Sequence, residues 1–412
     1  MKLLISHPTG NTFVRALLKQ AHANEVLESF HTTIAYRNGN WISRLLPQGV
    51  FNQYKRRTYP VPHALIHQHP FRETVRLVAT KVGLAPLAKH ERGWASLDEV
   101  YRELDRKTAE NLTDSEATHV HCYEDGAFET FQTAQELGVQ RSYELPIAHH
   151  KTLRRLLRKE AERWPEWEPT LLATRESDEK LHRKDRELEM AETVSCPSQF
   201  VLDSMPQSIR ENKKCFVSRF GTPDSSPVRT RRRLDGKDPV RFLFVGAMSQ
   251  RKGLADLLEA FSNLASRQAE LLVLGTALMA MGFYRSQGTF THESPRSHDQ
   301  VLELMANCDV LVLPSIAEGR ALVQQEAMSQ GLPILVTPNA GGEDLVKEEE
   351  TGLLVPASDP VTLTEKLEWF MRNKERIPSM GKTARIHAAS YTWKAYAELI
   401  IENSFALETG TS

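Results

Sequence analysis

The sequence predicts an α/β protein of two domains, and three observations carry that reading. Apolar strands alternate with helical stretches in both halves, glycine-bearing turns recur after predicted strands, and 412 residues exceed one ordinary core while suiting two of about 200 each. A hydrophobic content of 40% supplies both cores. No window reaches the ~18 apolar residues of a membrane span, and Met1 to Ile5 is too short for a signal peptide, so a cytoplasmic chain is expected. Cys122, Cys196, Cys215 and Cys308 are widely spaced, which suggests buried small hydrophobes and neither a disulfide framework nor a zinc knuckle. The formal net charge of −1 conceals a split, with 38 Lys+Arg against 32 Asp+Glu in residues 1–250 and 14 against 21 in 251–412. A basic first half suits an anionic membrane face or acidic acceptor and is equally ordinary scatter.

In chain order, Lys2 to Ser6 reads as a strand, His7 to Asn11 as a loop, and Thr12 to Ala23 as a helix with Phe13, Leu17 and Leu18 inward. Residues 43–110 are irregular and rich in His, Arg and Pro. There Lys55, Arg56 and Arg57, with Tyr54, Tyr59 and Trp41, fit either a solvated loop or contact with an anionic acceptor. The near-balanced charge and the absence of a recognisable module argue against nucleic acid. Thr118 to Asp125 alternates like a strand and leads into a helix over 127–137. His119 and His121 share one face of it, and a histidine at the strand's carboxyl end would face a crevice. Glu124 and Asp125 are adjacent and splay apart, which fits acceptor hydroxyls or helix capping better than a glycosidase pair.

The helix from His150 carries Leu153, Leu156 and Leu157 bordered by Lys151, Arg154, Arg155 and Arg158, a pattern shared by surface helices of globular domains and helices lying on membranes. Thr193 to Ser198 is the next strand. Ser225 to Asp238 is polar and aperiodic, hence a linker in which Arg229, Arg231, Arg232 and Arg233 are solvated. The second domain opens with a strand over 241–245, turns at Gly246 and resumes as a helix near Leu254. Lys252 at that helix start can reach a diphosphate as a point charge.

Asp309 to Leu313 is a short buried strand, followed by a turn and a helix beginning just after Gly319 and punctuated by Gly331 and Pro333. Glu318 is therefore on a loop and Glu326 in a helix. Eight residues at about 100° each separate them by about 80°, so they would grip different parts of one ligand. Unpaired amides and the positive dipole end at Gly319, Arg320, Ala321 and Leu322 suit a diphosphate. A strand over 334–337 and a small-residue loop over 339–343 feeding another helix follow, then a helix from Asp359-Pro360 to Asn373 and a last helix starting at 391–393. No D-x-D and no ligand spacing imply a catalytic metal.

Three segments in order, ELEMAETVSCPSQFVLDSM from Glu187, RFLFVGAMSQRKGLADLLEAF from Arg241 and EGRALVQQEAMSQGLPILVTPNAGGEDLV from Glu318, resemble the retaining glycosyltransferases of family 4. The resemblance implies the GT-B fold, two Rossmann-like domains facing across a cleft. An acceptor domain would span 1–222, a linker 223–239 and a donor domain 240–393, with 394–412 packing back on the first. It implies a UDP- or GDP-sugar donor, a glycan, lipid-linked or small-molecule acceptor and no cofactor; the missing ligand spacing adds no metal, and the basic first half of a chain without a span adds a cytoplasmic location with peripheral contact to the inner membrane face as an expectation. His121, Glu318 and Lys252 would be catalytic, with Glu318 on the donor sugar and Glu326 on the ribose. Gly221, Gly246, Arg251, Gly319, Arg320, Ala321 and Leu322 would complete the donor site, while Gly10, Asn11, Glu124 and Asp125 lie on the acceptor side. Two departures stand out: the first loop has one glycine where the family pairs two, and Ala247 replaces an arginine, for which Arg251 is the candidate substitute. The rival readings are a sugar-nucleotide epimerase of the same architecture and a non-catalytic nucleotide-sugar-binding protein.

Overall fold

The computed structural model of the protein describes residues 1–37, 48–223, 238–264 and 268–405. Its first half holds β1 (Leu3–Ser6), β2 (Leu27–Thr32), β3 (Ile66–Gln68), β4 (His119–Tyr123), β5 (Gln140–Glu144), β6 (Thr193–Cys196) and β7 (Lys214–Val217). The second holds β8 (Val240–Val245), β9 (Ala269–Leu274), β10 (Thr291–Glu293), β11 (Val310–Leu313), β12 (Ile334–Val336) and β13 (Gly352–Leu354). Helices α1 (Thr12–Ala23), α2 (Gln48–Lys55), α3 (Phe71–Ala79), α4 (Leu97–Leu112), α5 (Phe128–Leu137), α6 (His150–Arg163), α7 (Asp178–Met190), α8 (Gln199–Ser204) and α9 (Gln207–Asn212) accompany the first set. Helices α10 (Leu254–Ser262), α11 (Met281–Gln287), α12 (His298–Ala306), α13 (Leu322–Ser329), α14 (Pro360–Arg372), α15 (Ile377–Ala389) and α16 (Trp393–Phe405) follow.

The sheets run β3-β2-β1-β4-β5-β6-β7 and β10-β9-β8-β11-β12-β13, with parallel pairing throughout. Parallel strands need helical crossovers and are covered on both faces, which is why β11 and β12 are buried without alternation. Each sheet reverses its strand order once, between β1 and β4 and between β8 and β11. Ligands of open α/β sheets sit outside the carboxyl ends of strands at such switch points. The expected helix after Glu343 is absent; single 3-10 turns at Pro338–Ala340 and Glu343–Leu345 are followed only by a charged turn before β13. The charged turn that follows has no apolar face to bury, and Glu349 takes a left-handed φ of 59°.

The cores are separate but cross-linked. The larger one gathers Phe242, Phe244, Leu311, Ile334 and Phe370, and it also takes in Trp167 from the first half, whose ring lies 5.0 Å from Phe283 and 5.5 Å from Tyr284. In the opposite direction, α16 lays Tyr396, Ile400 and Ile401 against Phe13, Val14 and Leu17 of α1. The chain therefore crosses between halves more than once. Most of the predicted linker lies outside the described residues, as does Trp41. Cys122, Cys196 and Cys308 are buried, Cys215 is half-buried, and none of the four is in a disulfide.

Candidate functional site

At the switch point of the second sheet, β8 ends at Val245 and the chain turns through Gly246 before the 3-10 turn Gln250–Lys252. Gly246 adopts φ +149°, and a Cβ there would lie 2.6 Å from Lys252 Cδ. Glycine thus clears the path along which the lysine side chain crosses its own loop. Gly253 is needed for a second close approach, because a Cβ would come 1.9 Å from the Pro314 carbonyl at φ +73°. That contact seats the Lys252 turn on the loop leaving β11. Carboxyl and cations meet there: Glu318 Oε1 is 2.7 Å from Arg251 Nη1 and 2.6 Å from Lys252 Nζ. Burial pushes the Glu318 carboxyl up, but Arg251 and Lys252 outweigh it and hold it below the usual range. Asn339 braces the loop from behind, donating Nδ2–H to the Ile316 carbonyl at 2.8 Å and accepting the Glu318 amide on its own carbonyl at 3.0 Å. Two cations held by one carboxylate leave an excess positive charge at the switch point.

The structure brings Gly246, Arg251, Lys252, Glu318 and Gly319 to one switch point, but it reassigns parts of the expected helix end. Helix α13 starts at Leu322, after Ala321, and the Ala321 amide is already spent on the Ala340 carbonyl at 3.2 Å. Arg320 turns away: its guanidinium is buried on Asp344 Oδ1 at 2.7 Å, the Gly341 carbonyl at 3.1 Å and Gln325 Oε1 at 3.0 Å, so it is a structural ion pair and no phosphate ligand. Glu326 sits on the first turns of α13 with His298 Nδ1 at 3.7 Å, and burial raises its carboxyl pKa. Leu322 packs against the α1–α16 core.

Gly319 also touches the other domain. Its carbonyl accepts Ser198 Oγ–H at 2.6 Å, and a Cβ on it would lie 1.8 Å from the Pro146 carbonyl. Ile316 and Ala317 bury themselves among Ala148, Leu153 and Leu157 of the first half. The leucines of α6 are thus occupied by the second domain, which fits the expected surface helix of a globular domain and not a helix lying on a membrane. Gln250 joins the halves again, donating to Glu160 at 2.6 Å and accepting the Ala255 amide on its side-chain oxygen at 2.8 Å. Gln250, Gly253, Asn339 and Gly341 fall in loops the sequence marked, but none was given a role in the site. The only signal was their place beside Lys252 and Glu318.

Gly221 requires a correction. A Cβ there would meet the Trp393 backbone nitrogen at 2.3 Å, so the glycine admits the crossover to α16 and not a donor. His121 requires another. The strand runs on to Tyr123, leaving His121 in mid-strand, fully buried, hydrogen-bonded to Ser142 at 3.0 Å and 3.8 Å from Glu144. It faces the α16 layer with His119, whose ring lies 4.3 Å from Phe405. Neither side chain reaches the crevice.

The first switch point is filled from within. His7 Nδ1 accepts the amides of Gly10 at 2.8 Å and Thr9 at 3.1 Å, so the imidazole is neutral with its proton on Nε2. Burial first, then the His121, Arg15 and Arg57 neighbours, lower its pKa to about 3. Gly10 has φ +60° and lies against Tyr59, while Asn11 precedes α1 without a side-chain capping bond. Glu124 and Asp125 belong to a buried ionic cluster: Lys184 lies 3.5 Å from Glu124, and Lys180, Arg183 and Lys184 surround Asp125 at 3.4 to 3.7 Å. Burial raises Glu124 to about 7 against the pull of Lys184. Capping of α5 falls to other helices. Glu187 accepts the Asp125 and Ala127 amides, and Asp105 accepts those of Glu129 and Thr130.

Sequence comparison matches residues 229–387 to the family described as glycosyl transferases group 1, the stretch that holds Gly246, Lys252, Glu318 and Glu326. A D-inositol 3-phosphate glycosyltransferase of Corynebacterium diphtheriae is 30% identical over 170 residues, 38% of this chain and 40% of that protein. An uncharacterized glycosyltransferase of Methanocaldococcus jannaschii is 26% identical over 37% of this chain and 44% of its own length. The chain thus spans about two-fifths of the curated relatives it matches. Among solved structures, a sucrose-phosphate synthase of Thermosynechococcus elongatus superposes over 100% of both chains with TM-score 0.69 at 17% identity. Anabaena HepE in complex with UDP superposes over 99% of this chain and 100% of its own with TM-score 0.62 at 15% identity. The α/β fold of two parallel-sheet, Rossmann-like halves is therefore that of GT-B glycosyltransferase structures. No helix among the described residues is long and apolar enough to cross a membrane.

Proposed function

We propose that the chain is a retaining, metal-independent glycosyltransferase of family 4 that moves a sugar from a UDP- or GDP-sugar to a hydroxyl of a glycan, lipid or small-molecule acceptor. The observation that carries this reading is the sharing of Glu318 by Arg251 and Lys252 at the second switch point. An arriving diphosphate competes with Glu318 for both cations. As it takes them, the carboxylate is released to accept hydroxyls of the donor sugar, so binding exchanges one partner set for another without leaving a buried charge unpaired. Arg251 then serves where Ala247 offers no cation. In this reading Glu326, further along α13, accepts the ribose hydroxyls. HepE, crystallised with UDP and with UDP-glucose, supports a nucleotide-sugar donor, and the relatives named D-inositol 3-phosphate glycosyltransferase support a polyol or sugar acceptor.

In the transfer the anomeric carbon–phosphate oxygen bond breaks and a bond to the acceptor oxygen forms on the same face. The acceptor proton passes to the leaving phosphate oxygen, and Lys252 and Arg251 stabilise the charge that develops there. The Gly319 contact with Pro146 and Ser198 closes the cleft from its side and excludes water. Incubation with a panel of UDP- and GDP-sugars, reading thermal shift and nucleoside diphosphate release, tests the proposal. Donor-specific stabilisation with acceptor-dependent release is expected. Donor binding without consumption under any acceptor sinks the transferase reading, and an epimerised donor formed without acceptor points to the epimerase.

A further inference from the structure

Residues 80–87, Thr-Lys-Val-Gly-Leu-Ala-Pro-Leu, form an unbroken exposed run between α3 and α4. Burial normally claims side chains of this kind, yet Val82 and Leu84 are each 53% exposed, and Leu87 is also open. Phe71 at the start of α3 is 68% exposed and Trp94 is 47% exposed; their rings pack edge to face at 5.8 Å, so the two ends of the segment meet on one surface. Leu97 is exposed beside them. Half of the large apolar side chains that the described residues leave exposed thus come from residues 71–97, far more than scattered single exposures produce.

The unpaired charges of the patch have one sign, Arg72 being already paired with Glu99 and Glu103. Lys81, Lys89 and Arg92 are exposed and make no ion pair among the described residues, and Lys81 and Lys89 bracket the apolar run. Arg72 lies 4.7 Å over the Trp94 ring. The acids of the segment are engaged: Glu73 is buried on Arg57 and Arg76, Asp98 is held by Lys180, and Glu91 accepts the Ser177 amide. Apolar tips with an aromatic pair and a ring of unpaired cations match the two requirements of an anionic bilayer surface, acyl-chain contact and attraction to lipid phosphate. A soluble acidic protein would satisfy the cations but not the single-file apolar turn.

We infer that the turn over residues 80–87, with Phe71, Trp94 and the cations Lys81, Lys89 and Arg92, docks the protein on an anionic lipid bilayer. The inference stands independently of the transferase reading, because donor binding can be read in solution without lipid. The test is flotation of the full chain with vesicles of phosphatidylglycerol and phosphatidylcholine, against pure phosphatidylcholine vesicles. Wild-type protein floats with the anionic vesicles, less so as salt rises. The variant V82E/L84E/L87E loses this partitioning by on the order of 100-fold, and K81E/K89E/R92E loses it by a comparable factor, at about one decade or less per charge. Both variants alter exposed positions only, and unchanged thermal unfolding and donor-induced shift confirm that they fold. No flotation of the wild type, equal flotation of V82E/L84E/L87E, or a wild-type dimer that this variant dissociates each overturns the inference, the last by assigning the patch to a second copy.

Discussion

The two sheets reverse their strand order in the same way, yet their switch points are finished differently. At the second, Arg251 and Lys252 share the exchangeable carboxylate of Glu318, and Arg251 donates besides to the Ala317 carbonyl at 3.0 Å. At the first, the loop amides are taken by His7, the α5 amides by Glu187 and Asp105, and the carboxylates Glu124 and Asp125 by lysines and an arginine. Under the proposed function the second crevice trades its partners for an anion, while the first is internally satisfied and presents side-chain surface. Topology locates both crevices, and only the pairing of their polar groups distinguishes a charge-binding site from a shape-selecting one.

That contrast can be broken at four places. Gly319→Ala sets a Cβ against the Pro146 carbonyl at 1.8 Å, and parting the halves there should cost about 2–4 kcal/mol, read as a lowered denaturation midpoint. Wild-type stability would show that the contact yields freely. Lys252→Ala removes half of the cation pair and should weaken nucleotide-sugar binding about 100-fold by calorimetry, because hydrogen bonds to charged groups contribute ~1.5–3 kcal/mol. Glu326→Ala should weaken it about tenfold, the scale of a single hydroxyl contact. Unchanged affinity in both variants removes the donor site from this crevice.

The smallest effect sharpens the other side. Glu187 is raised to about 8, first by burial, so its folded pKa exceeds the unfolded value near 4.5. Its contribution is fully present below about 4.5 and is lost as pH rises toward 8, since the unfolded chain then sheds the proton more readily. Glu187→Gln should remove that slope, making the variant relatively more stable at pH 8 than at pH 5 in denaturant titrations. His7 has the opposite sign: with its folded pKa depressed to about 3, its contribution is present above about 6.5 and is lost as pH falls. A Glu187→Gln difference that does not vary with pH would mean that the carboxyl is ionised in the fold.

Much of the frame was legible. Helix α1 was expected over Thr12 to Ala23 and spans those residues, because its apolar spacing is regular; β11 and β12 were read from apolar runs bounded by turn residues. Lys252 and Glu318 were readable because each lies where a strand gives way to a helix. Arg320 was not, since a guanidinium beside a helix start reads as a phosphate ligand until Asp344, 24 residues on, is seen to claim it. Gly221 likewise announces a close approach without saying to what. His121 misled because its face of β4 is covered by α16, a helix far along the chain, and not because the strand was misread.

The sequence by itself determined what is local and periodic: the alternation of strands and helices, the glycine turns, and the residue types at the second switch point. Tertiary structure alone decided which polar groups remain exchangeable, which helix faces the opposite domain covers, and that the turn over residues 80–87 stays bare. The physical reason is that a charge or apolar side chain acquires its role from the partner that satisfies it, and those partners are distant in sequence.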